Sequence, residues 1–494
     1  MRSDLGLAAG GQEPRLPQSS WYAGVNKPVL LTDATCPLAH PRSSPPVHQS
    51  SSHLLKAQRK IAPVYSLAAP VARPLYNGPM RPLRITMLLY GEIEHDSRVR
   101  REMGTLVELG HEVTVATLYG KSRPPFELDG ARIVPLRPAH RGLLPGAESP
   151  FLGDRKMSRI GRLAARGRWA ASYATTFQYW RRAAVRQLLR ADVWHGHDLL
   201  GLLAARDMQR RHGGGLVHDS HELFLEAGSA TRLPSPARKL LFRMERGASR
   251  KADAVITVNL SIADELHRRY GVRPVVVMNC PPLGPARKKG KLRDHLGLGS
   301  RPVVLFHGAL SAGRGVEQLV DSLPLLPAEA AVVLLGYGEL TAPYSALSAQ
   351  ESHRGRLFVV PAVPIADLPD WICDADVGVI AFQPVDRNNV LGTPNKLFEY
   401  LEAGVPMVVS DFPEMRRLVD ETGAGIARDT STAASLAAAV GELLDEPKSV
   451  RKSRKLRARQ AAETTYNWAV QSQKLVEIYD RLGEEYGTNG SSTR

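Results

Sequence analysis

The chain has 494 residues, 43% of them hydrophobic, and a formal net charge of +16, enough for two or three domains of roughly 150 residues with ample core. No run approaches the roughly 18–20 apolar residues that span a bilayer, no signal-peptide succession is present, and Cys36, Cys280 and Cys373 have neither disulfide nor metal-ligand spacing, so a reducing, cytoplasmic setting is expected. The charge calls for an acidic partner, but zinc-finger spacing, an aromatic RNA-binding signature and a basic region leading into heptads are all missing, which argues against nucleic acid and leaves an anionic membrane surface or a phosphorylated ligand.

Residues 1–79 are rich in Pro, Ser, Ala and Gly without sustained periodicity and are expected to form a disordered extension; Met80, directly before Arg81-Pro82-Leu83, is a candidate start of translation. From Arg84 onward strands and helices alternate. Apolar strands are predicted at 85–90, 113–118, 131–136, 193–195, 216–219, 254–258 and 275–278, and the alternation restarts at 302–307, 331–335, 357–360, 377–382 and 407–410. Continuous apolar strands between helices imply parallel sheets covered on both faces. The fold expected is therefore α/β, two Rossmann-like domains at 80–285 and 298–461 facing a cleft, with the basic stretch 281–291 near their junction. A last helix within 462–483, with Trp468, Leu475, Ile478 and Tyr479 apolar, returns to the first domain.

Between 151 and 190 ten Lys or Arg stand against Asp154 alone. Arg155, Lys156, Arg159, Arg162, Arg166 and Arg168 alternate with Met157, Ile160, Leu163 and Trp169, the pattern of a helix with a cationic and an apolar face. Such a helix suits anionic lipid, an acidic acceptor or plain solvent.

In the first domain, Tyr90-Gly91-Glu92 with Asp96, Arg98 and Arg101 follows the first strand, where Gly91 and Arg98 are candidates to receive acceptor or donor phosphate. The runs Trp194-His195-Gly196-His197-Asp198 and His218-Asp219-Ser220-His221-Glu222 end two further strands. Strand ends carry the functional groups of open parallel sheets, and the spacing fits no standard metal site. The segment Asp374-Ala375-Asp376 reads as the polar entrance to a strand, as Asp192 and Asp253 do, so no metal is expected. In the second domain, Phe306-His307-Gly308-Ala309 to Arg314-Gly315 is a phosphate-loop candidate, and Leu335-Gly336-Tyr337-Gly338 lies at another strand end. The run Thr393-Pro394-Asn395-Lys396-Leu397-Phe398-Glu399 to Gly404 reads as a short helix capped by Thr393. Its first turn offers free N–H groups and a positive dipole end beside Lys396, a place for a diphosphate.

These motifs together resemble glycosyltransferase family 4, retaining enzymes of the GT-B fold, over most of residues 84–480. The resemblance implies transfer of a sugar from a nucleotide-diphosphate sugar to a hydroxyl acceptor, a lipid-linked acceptor among the candidates, in cell-surface glycan or glycolipid synthesis, with no cofactor beyond the donor. In the family a Glu, seven residues, Glu segment closes over the donor; Glu399 takes the second, ribose-binding place, while Leu391 stands at the first. Ala309 replaces the family Arg of the phosphate loop, and Arg314 stands at the Lys position. The resemblance further places Arg314 and Lys396 on the diphosphate, His221 near the reaction centre and His197 toward the acceptor. Thr393, Asn395, Gly308, Gly336 and Gly338 fall on the donor side, with the segment around Val363 against the base. A noncatalytic nucleotide-sugar scaffold and a sugar-nucleotide epimerase of the same fold are the alternatives.

Overall fold

The structure, a computed structural model, describes residues 82–118, 124–136, 159–288 and 290–487. The expected extension 1–79, Met80 and the basic residues 155–158 lie outside the described residues. Two sheets organise the rest. The first holds β1 (Arg84–Leu88), β2 (Glu112–Thr117), β3 (Phe126–Leu128), β4 (Ala131–Pro135), β5 (Val193–His197), β6 (Gly215–Ser220), β7 (Ala254–Thr257) and β8 (Val275–Val276). Their order is β3-β4-β2-β1-β5-β6-β7-β8, parallel except that β3 runs antiparallel to β4. The second holds β9 (Val303–Ala309), β10 (Ala331–Tyr337), β11 (Leu357–Pro361), β12 (Val377–Ile380), β13 (Met407–Ser410) and β14 (Gly425–Arg428), all parallel in the order β11-β10-β9-β12-β13-β14. This is the GT-B arrangement. The strands β3 and β14 had no counterpart in the sequence reading, each being too short to carry a period.

Strand order reverses at β1 in the first sheet and at β9 in the second, and the loops that follow such strands open the crevice where ligands bind. The strands are fixed at their other ends by the Asp residues read as polar entrances. Asp192 accepts the N–H of Arg84 at 2.8 Å, Asp253 that of Leu216 at 2.7 Å and Asp376 that of Val303 at 3.1 Å. Asp374 is likewise occupied, accepting from the backbone of Gly290, Leu292 and Arg293.

The last helix, Trp468–Tyr486, buries Trp468, Leu475, Ile478, Tyr479 and Leu482 in the core of the first sheet, and Trp468 Nε1 donates to Thr105 Oγ1 at 2.9 Å. The last described helix thus returns to the first domain. The long helix Arg159–Gln187 takes in the part of the predicted basic segment from Arg159 onward, and its second half packs Phe177, Trp180 and Ala184 into the first domain. No helix among the described residues is long and apolar enough to cross a membrane.

Candidate active site

The second-domain wall of the cleft is built on the helix Asn395–Glu402. Pro394, not Thr393, occupies its N-cap, because the Thr393 hydroxyl is engaged across the cleft, accepting from Asn259 Nδ2 at 3.1 Å. Gly404, at φ +65°, ends the helix in the left-handed conformation expected of it. Lys396 is buried with its Nζ 3.6 Å from the centre of the Phe306 ring, while the Arg314 guanidinium lies 4.6 Å from that of Phe382. Among the described residues neither cation has an ion-pair partner. Burial, reinforced by Arg314, holds the Lys396 pKa well below its ordinary value. Two crowded, poorly solvated cations are what a diphosphate would relieve. Glu399 follows one turn later with its side chain 24% exposed. Burial opposes its charge, but the His307 side chain, hydrogen-bonded to it, brings its pKa below the usual value.

Gly308 stands beside Lys396, where even a Cβ would come within 3.8 Å of Nζ. Gly336 and Gly338, expected on the donor side, are bare for a packing reason. A Cβ on Gly336 would fall 1.9 Å from the Gly308 carbonyl oxygen, and one on Gly338 2.2 Å from that of Leu310. Val363, beyond β11, is half-buried against the second-domain core.

The first-domain wall carries its charge differently. His221 follows β6; its Nε2 lies 2.8 Å from Asp219 Oδ2, and its backbone N–H donates to Asp198 Oδ1 at 2.9 Å. Burial disfavours the imidazolium, but the carboxylates of Asp198 and Asp219 outweigh it and raise the pKa to about 10. His221 is therefore a cation at neutral pH, suited to stabilising negative charge and not to taking a proton. His197, expected to approach the acceptor, is 2% exposed and sits behind His221, its Nδ1 3.1 Å from His221 Nε2 and 3.2 Å from Asp219 Oδ2. Arg98 also departs from its expected place: it is 2% exposed and holds Asp219 with two bonds, at 2.8 and 2.7 Å, and the Val277 carbonyl at 2.6 Å. It cannot receive a ligand phosphate. The Gly91 carbonyl accepts from Leu118 N at 3.1 Å.

Below His197 the donor atoms of Glu102, His195, His197 and Asp219 lie within 4.8 Å of one another, by residue type a metal-ligand set. Arg98 already supplies the cation there, with its guanidinium 2.7 Å from Asp219 and 2.9 Å from Glu102. A divalent ion would meet that charge at contact distance, so these residues do not fit one.

The walls are stitched together by the segment before the nucleotide-side helix. Asn388 accepts from Leu223 N at 3.1 Å and donates to Glu222 Oε2 at 3.2 Å; Arg387 reaches Glu265 at 3.1 Å, and Asn259 Nδ2 donates to the Leu391 carbonyl at 2.9 Å. Leu391, at the place of the family's first Glu, packs into the first-domain cluster of Leu223, Ile262, Leu266 and Tyr270. A carboxylate there would be half-buried against apolar side chains. A cavity lies between the walls, with His221, Glu222, Arg314, Asp386, Asn388 and Thr393 among its lining. The structure thus brings together His221, Arg314 and Thr393 in one cavity, with Lys396 over the Phe382 ring that it shares with Arg314, and sets His197 and Arg98 behind His221.

Residues 97–281 match the family model described as Glycosyltransferase Family 4, and residues 301–446 that described as Glycosyl transferases group 1. The chain belongs to glycosyltransferase family 4. It is 27% identical over 307 residues to a D-inositol 3-phosphate glycosyltransferase of Xylanimonas cellulosilytica, covering 58% of this chain and 71% of that one. It is 26% identical over 248 residues to a phosphatidyl-myo-inositol mannosyltransferase of Propionibacterium freudenreichii, covering 48% and 59%. Among solved structures, a sucrose-phosphate synthase of Thermosynechococcus elongatus superposes with a TM-score of 0.60 at 15% identity, over 81% of this chain and all of that one. The Anabaena protein HepE in complex with UDP gives 0.57 at 14%, with the same coverage. These likenesses establish the GT-B fold of the glycosyltransferase. Its site includes residues that the sequence reading did not single out: His307, Asn259 and Asn388. Only His307 carried a local signal, a polar residue at the end of an otherwise apolar strand.

Proposed function

We propose that this glycosyltransferase moves a hexosyl group, with retention, from a nucleoside-diphosphate sugar to a hydroxyl of a phosphorylated or lipid-linked acceptor. The observation that carries the reading is that Arg314 and His221 line one cavity from its two walls, with a second cation, Lys396, over the same Phe382 ring as Arg314, 5.8 Å from its centre. A sugar held between them has its diphosphate against the second wall and its reacting carbon toward the first. As the C–O bond to phosphate breaks, negative charge grows on the leaving oxygens, and fixed cations in a water-poor cleft stabilise it more than they stabilise the ground state. Arg314 and Lys396 take the part that a divalent ion plays elsewhere. The cross-cleft bonds of Asn388 and Asn259 hold donor and acceptor walls at a fixed separation, which supplies orientation.

The acceptor class is supported by the relatives named for inositol 3-phosphate and phosphatidyl-myo-inositol transfer and by surface charge. The helix Ser235–Ser249 exposes Lys239, Arg243 and Arg246, with Arg250 directly after it, and leaves Leu240 56% exposed among them. That stripe suits an anionic headgroup layer in cell-surface glycolipid synthesis.

Calorimetric and thermal-shift titration with UDP-, GDP- and ADP-linked hexoses tests the donor half without an acceptor. Tight binding of at least one, followed by turnover on a phosphoinositide-type acceptor to a product with the donor's anomeric configuration, is expected. No binding would overturn the donor assignment; an inverted anomer would overturn retention. Donor conversion without any acceptor would favour an epimerase, and binding without turnover across an acceptor panel a scaffold.

A further inference from the structure

We infer that His307 is a positioning residue for the nucleotide's ribose: its Nε2–H holds one oxygen of the Glu399 carboxylate so that the other is presented to the sugar's vicinal hydroxyls. The inference rests on the proposed nucleotide-sugar reading and goes beyond it by assigning the group that sets the orientation of the ribose acid.

His307 is the fifth residue of β9, directly before the bare Gly308, and lies in register with Leu335 of β10. It is 2% exposed, and its ring stands edge-on to Tyr400, 4.7 Å between centres at 89°. Tyr400 is itself pinned by its hydroxyl, which donates to the Leu305 carbonyl at 2.6 Å. The imidazole therefore has little freedom. From that fixed position Nε2 lies 2.7 Å from Glu399 Oε2, a short, charge-assisted bond. No described residue hydrogen-bonds Oε1, and the side chain remains 24% exposed.

The charge states are set by the same surroundings. Burial lowers the His307 pKa, Lys396 adds to that, and Glu399 opposes it, leaving the ring neutral. The Glu399 pKa is pushed up by burial but brought below its usual value by His307, Arg101 and Lys396. A neutral ring that donates through Nε2 has a bare Nδ1, and Nδ1 is buried without a partner. An orphaned buried nitrogen destabilises the fold, and the strand would be better served by an aliphatic side chain. Local rules broken this way in a core strand point to a functional use of the group. The use available is the single N–H that reaches Glu399. Without it the Glu side chain samples several rotamers, and a ribose must order it on binding.

The test compares UDP, GDP and ADP with their 2′,3′-dideoxy counterparts by calorimetry on the full chain, on His307→Val and on Glu399→Gln. His307→Val should weaken the ribonucleotide about tenfold, corresponding to about 1.4 kcal/mol. Its affinity for the dideoxy form should stay at the wild-type level, its donor KM should rise and kcat at saturating donor should hold. An unchanged ribose preference in His307→Val beside a lost preference in Glu399→Gln overturns the inference and leaves the donor reading standing. Equal losses for ribose and dideoxy ligands in Glu399→Gln overturn the inference alone, whereas no binding of any nucleotide by the wild-type chain overturns the donor reading and the inference with it. A second measurement needs no substitution. In histidine-labelled protein the His307 Nε2–H resonance should shift on adding the ribonucleotide and stay in place with the dideoxy form; a deprotonated Nε2, or one equally responsive to both, counts against the inference even if the valine variant fails to fold.

Discussion

The two walls of the cleft present positive charge by opposite means. On the second domain, Lys396 and Arg314 lean on the rings of Phe306 and Phe382 with no ion-pair partner among the described residues. On the first, His221 is embedded in carboxylates, and the nearest of these, Asp219, is itself neutralised by Arg98. One wall leaves its charge unanswered until a ligand arrives; the other has its charge answered by the protein and is rigid before binding. The difference teaches that binding energy and framework stability are drawn from different cations, which substitutions can separate.

The largest effect on the framework is expected at Arg98. Replacing it by Met leaves fully enclosed Asp219 with His221 alone as a cation and fully enclosed Glu102 without its guanidinium, and removing one partner of a buried pair costs about 3–5 kcal/mol. Urea unfolding should show that loss for Arg98→Met, whereas Lys396→Met should be neutral or stabilising because it removes an unpaired buried charge. Equal costs would erase the distinction between the walls.

Activity should show the reverse order. Arg314→Ala and Lys396→Ala are each expected to lower kcat by about 10²–10³, with a smaller change in donor affinity, because charge on the diphosphate grows toward the transition state. Steady-state kinetics beside calorimetric Kd values checks this, and equal losses in binding and rate would reduce the pair to anchors.

Stability against pH sharpens the comparison on the first wall. The His221 pKa is raised from 6.5 to about 10 by Asp198 and Asp219 against the opposing effect of burial. A group raised on folding stabilises fully below its unfolded pKa and loses that contribution as pH climbs through the folded one. The Tm gap between wild type and His221→Gln should accordingly be widest below pH 6.5 and close toward pH 10, by at most about 1.4 kcal/mol per pH unit. A gap that widens with pH would mean that His221 is neutral in the folded protein.

How much of this was legible in the sequence follows the same division. The second wall is built from contiguous runs: Pro394 to Gly404 forms the expected helix, and the loop after β9 holds Arg314 within a few residues of the strand's end at Ala309, so caps, glycines and cations could be read locally. The reading went wrong where a partner came from far away. Thr393 looked like a cap until Asn259, 134 residues distant, took its hydroxyl. Arg98 looked like a phosphate ligand because Asp219 lies 121 residues further on. Leu391 could be recognised as a departure from the family pattern, but its burial against Leu223 and Ile262 is a property of the closed pair of domains. Local chemistry is written in order along the chain; ion pairs between strand ends are written only in the topology.

The smallest effect concerns a third population of positive charge, outside the cleft. Lys239, Arg243 and Arg246 recur at helical spacing on the exposed side of Ser235–Ser249, while Glu245 and Ala248 of the same helix are buried. Unlike Arg98, these residues are solvated, and unlike Lys396 they suffer little desolvation, so Gln at all three should leave stability, kcat and donor Kd near wild-type values. Each basic residue near an anionic bilayer contributes about 1 kcal/mol, and at physiological salt the attraction fades within about 8 Å. Sedimentation with phosphatidylinositol-containing vesicles should therefore fall in the triple variant and in high salt, and be absent with neutral vesicles. Because Leu240 is exposed at the same place, Leu240→Ser should weaken vesicle binding without changing its salt dependence. Should the triple variant sediment as well as wild type, the stripe is a solvated surface and the acceptor is held by the cleft alone.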